Sequence, residues 1–277
     1  MVTVEAAWRA RLALEYTLQG GRTTLSGREH SGPLVVQKAL YPEGNAVCHS
    51  IIVHPPGGIA GGDALKLELR LREGAAALLT TPGAGKWYKS MGPKASLAQH
   101  FDVRRGAVLE WLPQPAIVFD AARAEVKTEV QLHEEALYMG WELTCMGRTA
   151  SGERFNSGEL RQRTEIRQQG RRLWCEYARL AGGDPMLASK AGLAGCTVSA
   201  TLIAAGKDIR KDLLAQCRGI APGAGEHAGI TVLPRVLLAR YLGHSSAAAM
   251  HYFIALWSLL RPALAGRSAV PPRIWAT

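Results

Sequence analysis

The sequence has few cysteines, and it lacks both a paired-cysteine motif and a long hydrophobic run. Its five cysteines, at positions 48, 145, 175, 196 and 217, include no C-x-x-C pair. An odd number of widely spaced cysteines argues against a disulfide framework or a zinc ribbon, and it is typical of buried thiols in a reducing compartment. The longest apolar run, residues 247–260, is too short to span a bilayer, and residues 1–19 lack the apolar core of a signal peptide. We therefore expect a soluble cytoplasmic protein without a membrane partner.

Complete motifs for nucleotide binding and for the common hydrolases are also missing. Gly85-Lys86 resembles the end of a phosphate-binding loop, but Thr80 stands where the first glycine belongs and Trp87 where the hydroxyl belongs. The glycines at 57, 58, 61 and 62 do not have the G-x-G-x-x-G spacing. The chain contains neither G-x-S-x-G nor H-E-x-x-H. The sequence therefore does not predict a nucleotide hydrolase, a serine hydrolase or a zinc protease.

The net charge of +10 is unevenly distributed. Residues 205–277 contain nine Lys and Arg against three Asp and Glu. A basic surface is the electrostatic requirement for nucleic-acid binding, but these arginines are dispersed, and no helix-turn-helix, zinc-finger or RNP pattern accompanies them. A solvated basic surface or an acidic protein partner explains the charge equally well. We expect protein partners and no nucleic acid.

Between residues 33 and 204 apolar and polar residues alternate in many short segments, which predicts β-strands. The segments are 46–54, 65–72, 75–80, 96–103, 108–112, 125–132, 137–145, 163–167 and 173–180. The junctions that contain Ala75, Ala107 and Ala136 resemble one another and are separated by 32 and 29 residues. A strand–turn–strand unit repeated at this spacing predicts a mainly β fold of stacked hairpin layers with a β-helix-like superhelical body. An ordinary β-sandwich with similar turns is the alternative.

The pattern changes after residue 204. We expect a β-rich body over residues 1–204 and a helical C-terminal portion and tail over residues 205–277, packed together as one structural domain. Helical spacing occurs at 207–218, 233–242 and 245–260, with Ser245 or Ser246 as an N-cap. Pro262 is the expected end of the last helix, and an extended tail is predicted after it.

The most distinctive stretch runs from His54 to Asp63, with four glycines and two prolines in ten residues. Glycine is needed where the backbone has positive φ or approaches another group closely, and proline fixes φ. This stretch, with a second one that begins at Thr80, therefore predicts a structural motif whose shape is defined by the backbone. Its members are expected to be His54, Gly57, Gly58, Gly61, Gly62, Thr81, Pro82 and Gly83.

Several acids stand alone in apolar strand patterns, namely Glu110, Glu142 and Glu176. A buried carboxylate without a partner is costly, so such acids either pair with arginine or face a wet cavity. A water-filled passage lined by Asp63, Glu142 and Glu176 would attract a divalent metal ion, and oxygen ligands would hold Ni²⁺ weakly enough to release it. A salt bridge to arginine is the alternative at each position.

Cys48 and His54 share one face of a predicted strand, whereas His49 points to the other face. Together Cys48 and His54 could provide half of a soft metal site. A buried thiol and a hydrogen-bonded histidine at the strand end is the more common arrangement, and it is the one that we predict.

Three long motifs, in the same order, resemble those of the urease accessory protein UreD (UreH) family. They are the His54 to Asp63 stretch and the segments 80–90 and 109–120. Residues 147–155 and the tail from 260 to 277 fit the same family, so the resemblance extends over nearly the whole chain. One departure is Gly85, where a more ordinary residue is expected.

The resemblance implies a non-enzymatic maturation factor. Members of the family bind apo-urease and join a UreF-type helical protein and a UreG-type GTPase, and this assembly delivers nickel to the urease active site. The family fold is a β-rich superhelical body with a few helices. No tightly bound cofactor is implied, only nickel in transit, and the passage proposed for the family is matched here to Asp63, Glu142 and Glu176.

The alternative function is a β-solenoid enzyme that acts on an acidic polysaccharide through its basic surface. Such an enzyme needs catalytic carboxylates or lysines clustered on one exposed strand face. The acids of this sequence are scattered, and they do not indicate such a cluster.

Overall fold

The chain folds into two β-sheets with two α-helices near the C-terminal end of residues 7–276, the part that the computed structural model describes. The first nine strands are β1 (Arg9–Gln19), β2 (Arg22–Ser31), β3 (Val35–Val36), β4 (Val47–Val53), β5 (Ala64–Leu71), β6 (Ala76–Thr80), β7 (Gly85–Trp87), β8 (Ala95–Val103) and β9 (Val108–Trp111). The next six are β10 (Ala116–Val118), β11 (Arg123–Leu132), β12 (Leu137–Met146), β13 (Glu159–Gln168), β14 (Arg171–Ala181) and β15 (Val198–Ala205). The last elements are α1 (Lys211–Arg218), β16 (His227–Leu233), β17 (Val236–Gly243) and α2 (Ser246–Ala265).

Strands of the central body alternate between the two sheets. The seven-stranded sheet has the order β14-β13-β11-β8-β5-β1-β2. The ten-stranded sheet has the order β16-β17-β15-β12-β9-β6-β4-β3, with β10 paired to β12 and β7 paired to β10. In the first sheet β5, β8, β11 and β13 are parallel, and in the second β4, β6, β9 and β12 are parallel. Each layer therefore contributes one strand to each sheet. The predicted β-solenoid-like body is confirmed.

The repeated junctions of the sequence are the turns between the two sheets. Ala75, Ala107 and Ala136 have no exposed surface, and the N–H of each donates to the carbonyl three residues earlier. The N–H of Gly74 donates to the carbonyl of Arg105 at 3.0 Å, which joins the first turn to the second. The second turn bonds to the third in the same way. The turns therefore stack as the layers do, and small buried alanines allow this close approach.

The ten-stranded sheet is covered on both faces. One hydrophobic core lies between the two sheets and includes Leu12, Leu67 and Phe101. A second core lies on the outer face of the ten-stranded sheet, where Trp141 packs with Phe253 of α2. The outer face of the seven-stranded sheet instead carries charged side chains joined in ion pairs. The two faces of the ten-stranded sheet consequently define two different buried environments.

The helix predicted at residues 233–242 is wrong, because this segment belongs to strand β17. Val236 and Leu238 face the core between the sheets, and Leu237 and Ala239 face the core under the helices. A strand that is buried on both faces reads as a continuous apolar run without the alternation that marks a half-exposed strand. The helices predicted at 207–218 and 245–260 are confirmed as α1 and α2.

The predicted end of the last helix at Pro262 is also wrong. Ser245 is the N-cap, as expected, and its side chain accepts from the N–H of Ala248 at 3.1 Å. The helix continues past Pro262 and ends at Gly266, which has φ +67°. Arg261, the residue before the proline, is held by buried carboxylates, so tertiary contacts outweigh the local preference. The predicted extended tail contains a 3₁₀ turn at Arg273–Ala276.

Neither helix in the described part of the chain has the length and hydropathy that are needed to span a membrane.

Candidate functional site

The two glycine-rich stretches pack directly against each other. The N–H of Ile59 donates to the carbonyl of Lys86 at 2.7 Å, and the N–H of Tyr88 donates to the carbonyl of Ile59 at 3.0 Å. A Cβ on Gly58 would lie 2.4 Å from the ring of Tyr88. The first stretch therefore adds a short strand-like segment beside β7, and glycine permits the contact.

Glycine is required at other positions of the first stretch for different reasons. A Cβ on Gly61 would lie 2.2 Å from the hydroxyl oxygen of Ser90. Gly57 and Gly62 have φ values of +76° and +95°, which side chains other than glycine rarely adopt. These observations are those expected of a backbone-defined element.

The second stretch is anchored through its threonines. The hydroxyl of Thr80 donates to the carbonyl of Leu112 at 2.6 Å, and the hydroxyl oxygen of Thr81 accepts from the N–H of Gln114 at 2.9 Å. Pro82 and Gly83 follow as exposed residues at the rim of a cavity. A Cβ on Gly83 would meet nothing within 4 Å, and φ at this residue is not positive. Packing therefore requires glycine at 58 but not at 83.

The cavity lies between the two sheets, beneath both glycine-rich stretches, and has a volume of about 430 Å³. Its wall is mostly apolar, with Trp87, Leu97 and Trp111 among the lining side chains. Polar side chains that also line it include His54, Gln99, Glu142, Thr144 and Gln162. A cavity of this kind is suited to a small solute that meets a few placed polar groups.

A row of polar side chains continues from this cavity along the stacking axis of the body. Gln99, Thr128, Thr164 and Glu176 occupy matching positions on the adjacent strands β8, β11, β13 and β14. We call these four residues the interior polar row. The register predicts that they stack at the strand spacing of about 4.8 Å. They form a polar strip inside an otherwise hydrophobic core.

Glu142 faces this row from the opposite sheet. Its Oε1 lies 3.1 Å from the hydroxyl of Thr128 and 3.0 Å from the hydroxyl of Thr164. Burial raises the pKa of Glu142, the two hydroxyl contacts partly oppose this, and the nearby charge of Glu176 raises the pKa further. The charged form of this carboxyl group is therefore less favourable here than it is in water. The side chain keeps some accessible surface, which the cavity supplies.

Glu176 lies at the end of the row and has a cationic partner. Arg240 of β17 contacts it at 2.7 Å, and the side chains are 25% exposed for Glu176 and 53% exposed for Arg240. Arg240 lies in register with Thr201, which in turn lies in register with Glu142. Polar positions of the two sheets therefore face each other from Glu142 to Glu176.

Asp63 occupies a different environment. Its carboxylate accepts from the backbone N–H groups of Trp8 and Ala60, each at 2.8 Å, and the residue is 3% exposed. It closes the turn of the first glycine-rich stretch, and it does not belong to the residues that line the cavity. Within residues 7–276, no three His, Cys, Asp or Glu side chains converge as a metal-ion site. The three predicted acids are thus spread along the interior and do not form one centre.

His54 stands at the cavity wall, where its ring nitrogen Nε2 is buried without a hydrogen-bond partner among the described residues. Burial lowers the pKa of His54, and the charge of Asp63 opposes this effect. The hydrogen-bonded histidine predicted here is therefore not found at Nε2. Cys48 is six residues away along an extended strand, about 20 Å, so the two do not form a metal pair.

A second buried polar cluster lies on the other face of the ten-stranded sheet. Arg261 Nε is 3.0 Å from both carboxylate oxygens of Glu110, and the indole N–H of Trp257 donates to Glu110 at 2.6 Å. Arg261 also contacts Glu43 at 2.7 Å, and Glu43 contacts the ring of His49 at 2.6 Å. We call these five residues the Arg261 cluster. The alternative predicted for the lone acids, a salt bridge to an arginine, is confirmed at Glu110 and at Glu176.

Sequence reasoning missed Gln99, Thr128, Thr164 and Arg240. Each is an ordinary polar residue within a strand pattern, and no local signal separates it from a surface position. Their common position becomes visible only when the strands are paired in register. The regular spacing of the turns is the one sequence feature from which the strand register could have been inferred.

Comparison with known proteins identifies the family. A family model described as UreD urease accessory protein matches residues 8–276. A urease accessory protein UreD from Azoarcus sp. (strain BH72) is 51% identical over 273 residues, which cover 99% of this chain and 95% of that protein. The urease accessory protein UreD of Dechloromonas aromatica (strain RCB) is 51% identical over 274 residues, which cover 98% of this chain and 95% of that protein. The predicted family is thereby confirmed: the chain belongs to the UreD family of urease accessory proteins.

Proposed function

We propose that this chain is a non-catalytic maturation factor that helps to deliver nickel to apo-urease. In this proposal it acts in an assembly with a UreF-type helical protein and a UreG-type GTPase, as its family membership suggests. The observation that supports a direct part in nickel transfer is the interior polar row, with Glu142 opposite it. A polar strip through a hydrophobic core costs free energy, so it requires a reason other than stability.

The chemistry of the row suits an ion in transit. Hydroxyl, amide and carboxyl oxygens bind divalent ions of the first transition series more weakly than thiolates do, so they allow release as well as binding. Three of the five cysteines, Cys48, Cys196 and Cys217, are buried, and no cysteine is among the residues that line the cavity. Nickel would enter the cavity, pass Glu142 and leave near Glu176. It is cargo, and the proposal includes no resident cofactor.

The proposal keeps the predicted part of Asp63 in the passage. Its two backbone hydrogen bonds support a role in shaping the first glycine-rich stretch. Replacement of Asp63 by Asn would remove one of two carboxylate acceptors and would alter that turn. A transfer defect in such a variant therefore supports the passage only if the free energy of unfolding is unchanged.

An enzymatic role on acidic polysaccharides is less well supported. The acids on the outer face of the seven-stranded sheet are engaged in ion pairs, as Glu68 is with Arg11 and Glu165 is with Arg163. A catalytic carboxylate pair needs one member that is free to act as an acid or a nucleophile. GTP hydrolysis is assigned in this proposal to the UreG-type partner, because the phosphate-binding pattern of this chain is incomplete.

The proposal is tested by co-expression of urease structural subunits with UreF-type and UreG-type proteins, with and without this chain. Nickel bound to urease and urease activity are measured. Loss of both when the chain is omitted supports the maturation role, and full activation without the chain rejects it. A Glu142→Gln/Glu176→Gln variant then tests the passage, with Glu129→Gln/Glu165→Gln on the outer face as the matched control. The passage is rejected if both double variants deliver nickel as the wild type does.

A further inference from the structure

The short strands β7 and β10 present one side to solvent, and the proposed nickel transfer does not use that side. Trp87 and Val118 are buried, at 3% and 1% exposed, so their neighbours in each strand lie on the opposite side. That side carries exposed and half-buried side chains from both strands and from the chain just after β7, β10 and β12. We call it the β7–β10 face, and its members are Lys86, Tyr88, Lys89, Ile117, Phe119 and Arg148.

At the centre of this face two half-buried aromatic rings are held in place by their neighbours. The rings of Tyr88 and Phe119 meet edge to face, with centroids 5.2 Å apart and planes at 81°. The guanidinium of Arg148 lies 4.5 Å from the centroid of the Phe119 ring. The Tyr88 ring rests on Gly58, where a Cβ would lie 2.4 Å from it. The rings are therefore ordered in the free chain, and binding through them costs little conformational entropy.

The charge around the face has one sign because the acids of this edge are used by the backbone. The connections from the ten-stranded to the seven-stranded sheet, residues 54–63, 81–94, 112–122, 147–158 and 182–197, contain six Lys and Arg against four Asp and Glu. Each of these acids accepts from at least one backbone N–H, and they are Asp63, Asp120, Glu153 and Asp184. The turns at the other edge, residues 72–75, 104–107 and 133–136, contain three charged residues of each sign.

Most of the cations of this edge are not neutralised. Lys94 is paired with Glu125 at 2.8 Å, and Arg148 is paired with Glu153 at 2.6 Å. The other four are exposed and have no carboxylate partner within residues 7–276, and they are Lys86, Lys89, Arg154 and Lys190. The centre of the face is therefore aromatic, and free cations border it. Protein interfaces have this arrangement, with aromatic residues and arginine at the centre and charged groups at the rim.

We propose that the β7–β10 face docks a carboxylate-rich surface of a partner protein in the maturation assembly. This inference rests on the proposed function and adds to it a docking surface and the charge of the partner. A second copy of the chain does not fit, because it would bring the same cations against these ones. A nucleic acid fits less well, because base stacking needs an open ring face and Arg148 covers Phe119. Gly58 then has a functional reason, since it makes room for the Tyr88 ring.

Charge reversal is the first test, with the full-length chain and two purified probes, apo-urease and the UreF-type protein. Lys86→Glu/Lys89→Glu places like charges opposite the acidic partner, so we expect its Kd for one probe to rise at least about tenfold, mainly through slower association. Arg171→Glu/Arg172→Glu, at exposed positions of β14, changes the net charge equally and should stay within about twofold of wild type. Added salt should weaken wild-type binding more than that of the Lys86→Glu/Lys89→Glu variant. Unchanged affinity for both probes, or an equal loss in both variants, overturns the proposal.

A second pair of variants tests the aromatic centre without a change of charge. Tyr88→Ala truncates a ring at the middle of the face and should weaken binding of the same probe about tenfold or more. Tyr177→Ala removes a tyrosine that is 62% exposed on β14 and should have no effect beyond about twofold. Circular dichroism and urea unfolding establish that each variant is folded at the temperature of the binding experiment. Equal affinities of Tyr88→Ala and Tyr177→Ala would remove the aromatic anchor and reject the surface as proposed.

Two further measurements separate this inference from its alternatives. If Lys86→Glu/Lys89→Glu loses affinity for a duplex or single-stranded oligonucleotide but not for either protein probe, the face binds nucleic acid and the proposal is wrong. In the urease co-expression assay, a wild-type chain that fails to increase nickel incorporation rejects the proposed function, even where the face is shown to bind a probe. A wild type that increases incorporation, with the charge-reversed chain equally active and equally bound, rejects the docking surface alone.

Discussion

Two interior carboxyl groups on opposite faces of the ten-stranded sheet show how differently one fold can treat the same side chain. Glu110 faces helix α2, is 1% exposed, and contacts Arg261 and Trp257. Glu142 faces the seven-stranded sheet and contacts only hydroxyl groups among the described residues. Burial raises the pKa of both, but at Glu110 the charge of Arg261 opposes this effect. The negative charge of Glu110 is compensated by a nearby cation, and that of Glu142 is not.

The difference separates a structural role from a functional one. The Arg261 cluster joins α2 to residues that are more than 100 positions away in the chain, and it fixes the helix on the sheet. Glu142 adds little to stability beyond two hydrogen bonds and adjoins a cavity. A buried acid that is paired with a cation therefore indicates a structural role. A buried acid that lies beside a cavity without a cation indicates a functional role.

The largest expected loss of stability comes from removing the cation of the Arg261 cluster. Arg261→Met leaves Glu110 and Glu43 buried without their cation, and removal of one partner of a buried ion pair typically costs about 3–5 kcal/mol. We expect a loss of this size in the free energy of unfolding measured in urea at pH 7. Arg171→Ala, at an exposed position, is the control and should change it by about 0.5 kcal/mol or less. A loss below about 1 kcal/mol for Arg261→Met would show that the cluster does not hold the helix.

The next effect compares the two acids directly. Glu110→Gln removes the charge-assisted hydrogen bonds to Arg261 and should cost about 1.5–3 kcal/mol. Glu142→Gln removes a carboxyl group whose charged form is disfavoured by burial, and it should change the free energy of unfolding by less than about 1 kcal/mol. Urea unfolding of both variants at pH 7 measures the contrast. Equal losses would remove the distinction between the two sites.

A pH titration sharpens the same contrast. The folded-state pKa of Glu142 is raised above its ordinary 4.5, so below that value both the folded and unfolded chains hold this proton. As the pH rises above 4.5, the unfolded chain releases the proton first, and the wild type loses stability until the folded pKa is passed. Glu142→Gln has no such proton. Its stability relative to wild type should therefore increase as the pH rises from 4.5 towards neutrality, and a pH-independent difference would contradict this assignment.

The smallest expected effect is at the end of the interior polar row. Arg240 and Glu176 are 53% and 25% exposed, and partly exposed ion pairs contribute about 0–1 kcal/mol. Arg240→Ala should therefore leave the melting temperature almost unchanged. Double-mutant analysis with Glu176→Gln measures the coupling. A coupling above about 2 kcal/mol would place this pair with the compensated, structural group.

Most strands were predictable from the sequence because each has one face in the core and one in solvent or beside polar groups. The segments around β5, β8 and β11 show this alternation, and the stacked turns at Ala75, Ala107 and Ala136 repeat at a regular spacing. Strand β17 was not predictable, because burial on both of its faces removes the alternation. The continuation of α2 past Pro262 depends on contacts of Arg261 that lie outside the local sequence.

The candidate site was predictable in part. The distinctive glycines marked a shaped element, and the acids Glu142 and Glu176 were recognised as unusual in their strands. The polar residues between them were not recognised, because Thr128 and Thr164 resemble surface threonines until the strand register places them opposite Glu142. The Asp63 carboxylate was predicted to line a passage, and its backbone hydrogen bonds become visible only in the fold.

The sequence by itself determined the layered β architecture and the family of this protein, because alternation, turn conformation and motif order depend on neighbouring residues. Only the tertiary structure decided which buried acid is compensated. Glu110 and Arg261 are 151 residues apart, and Glu142 is close in space to strands that the sequence does not assign to it. Desolvation and charge pairing depend on distance in space, and they therefore follow from the packing of the two sheets and the helix.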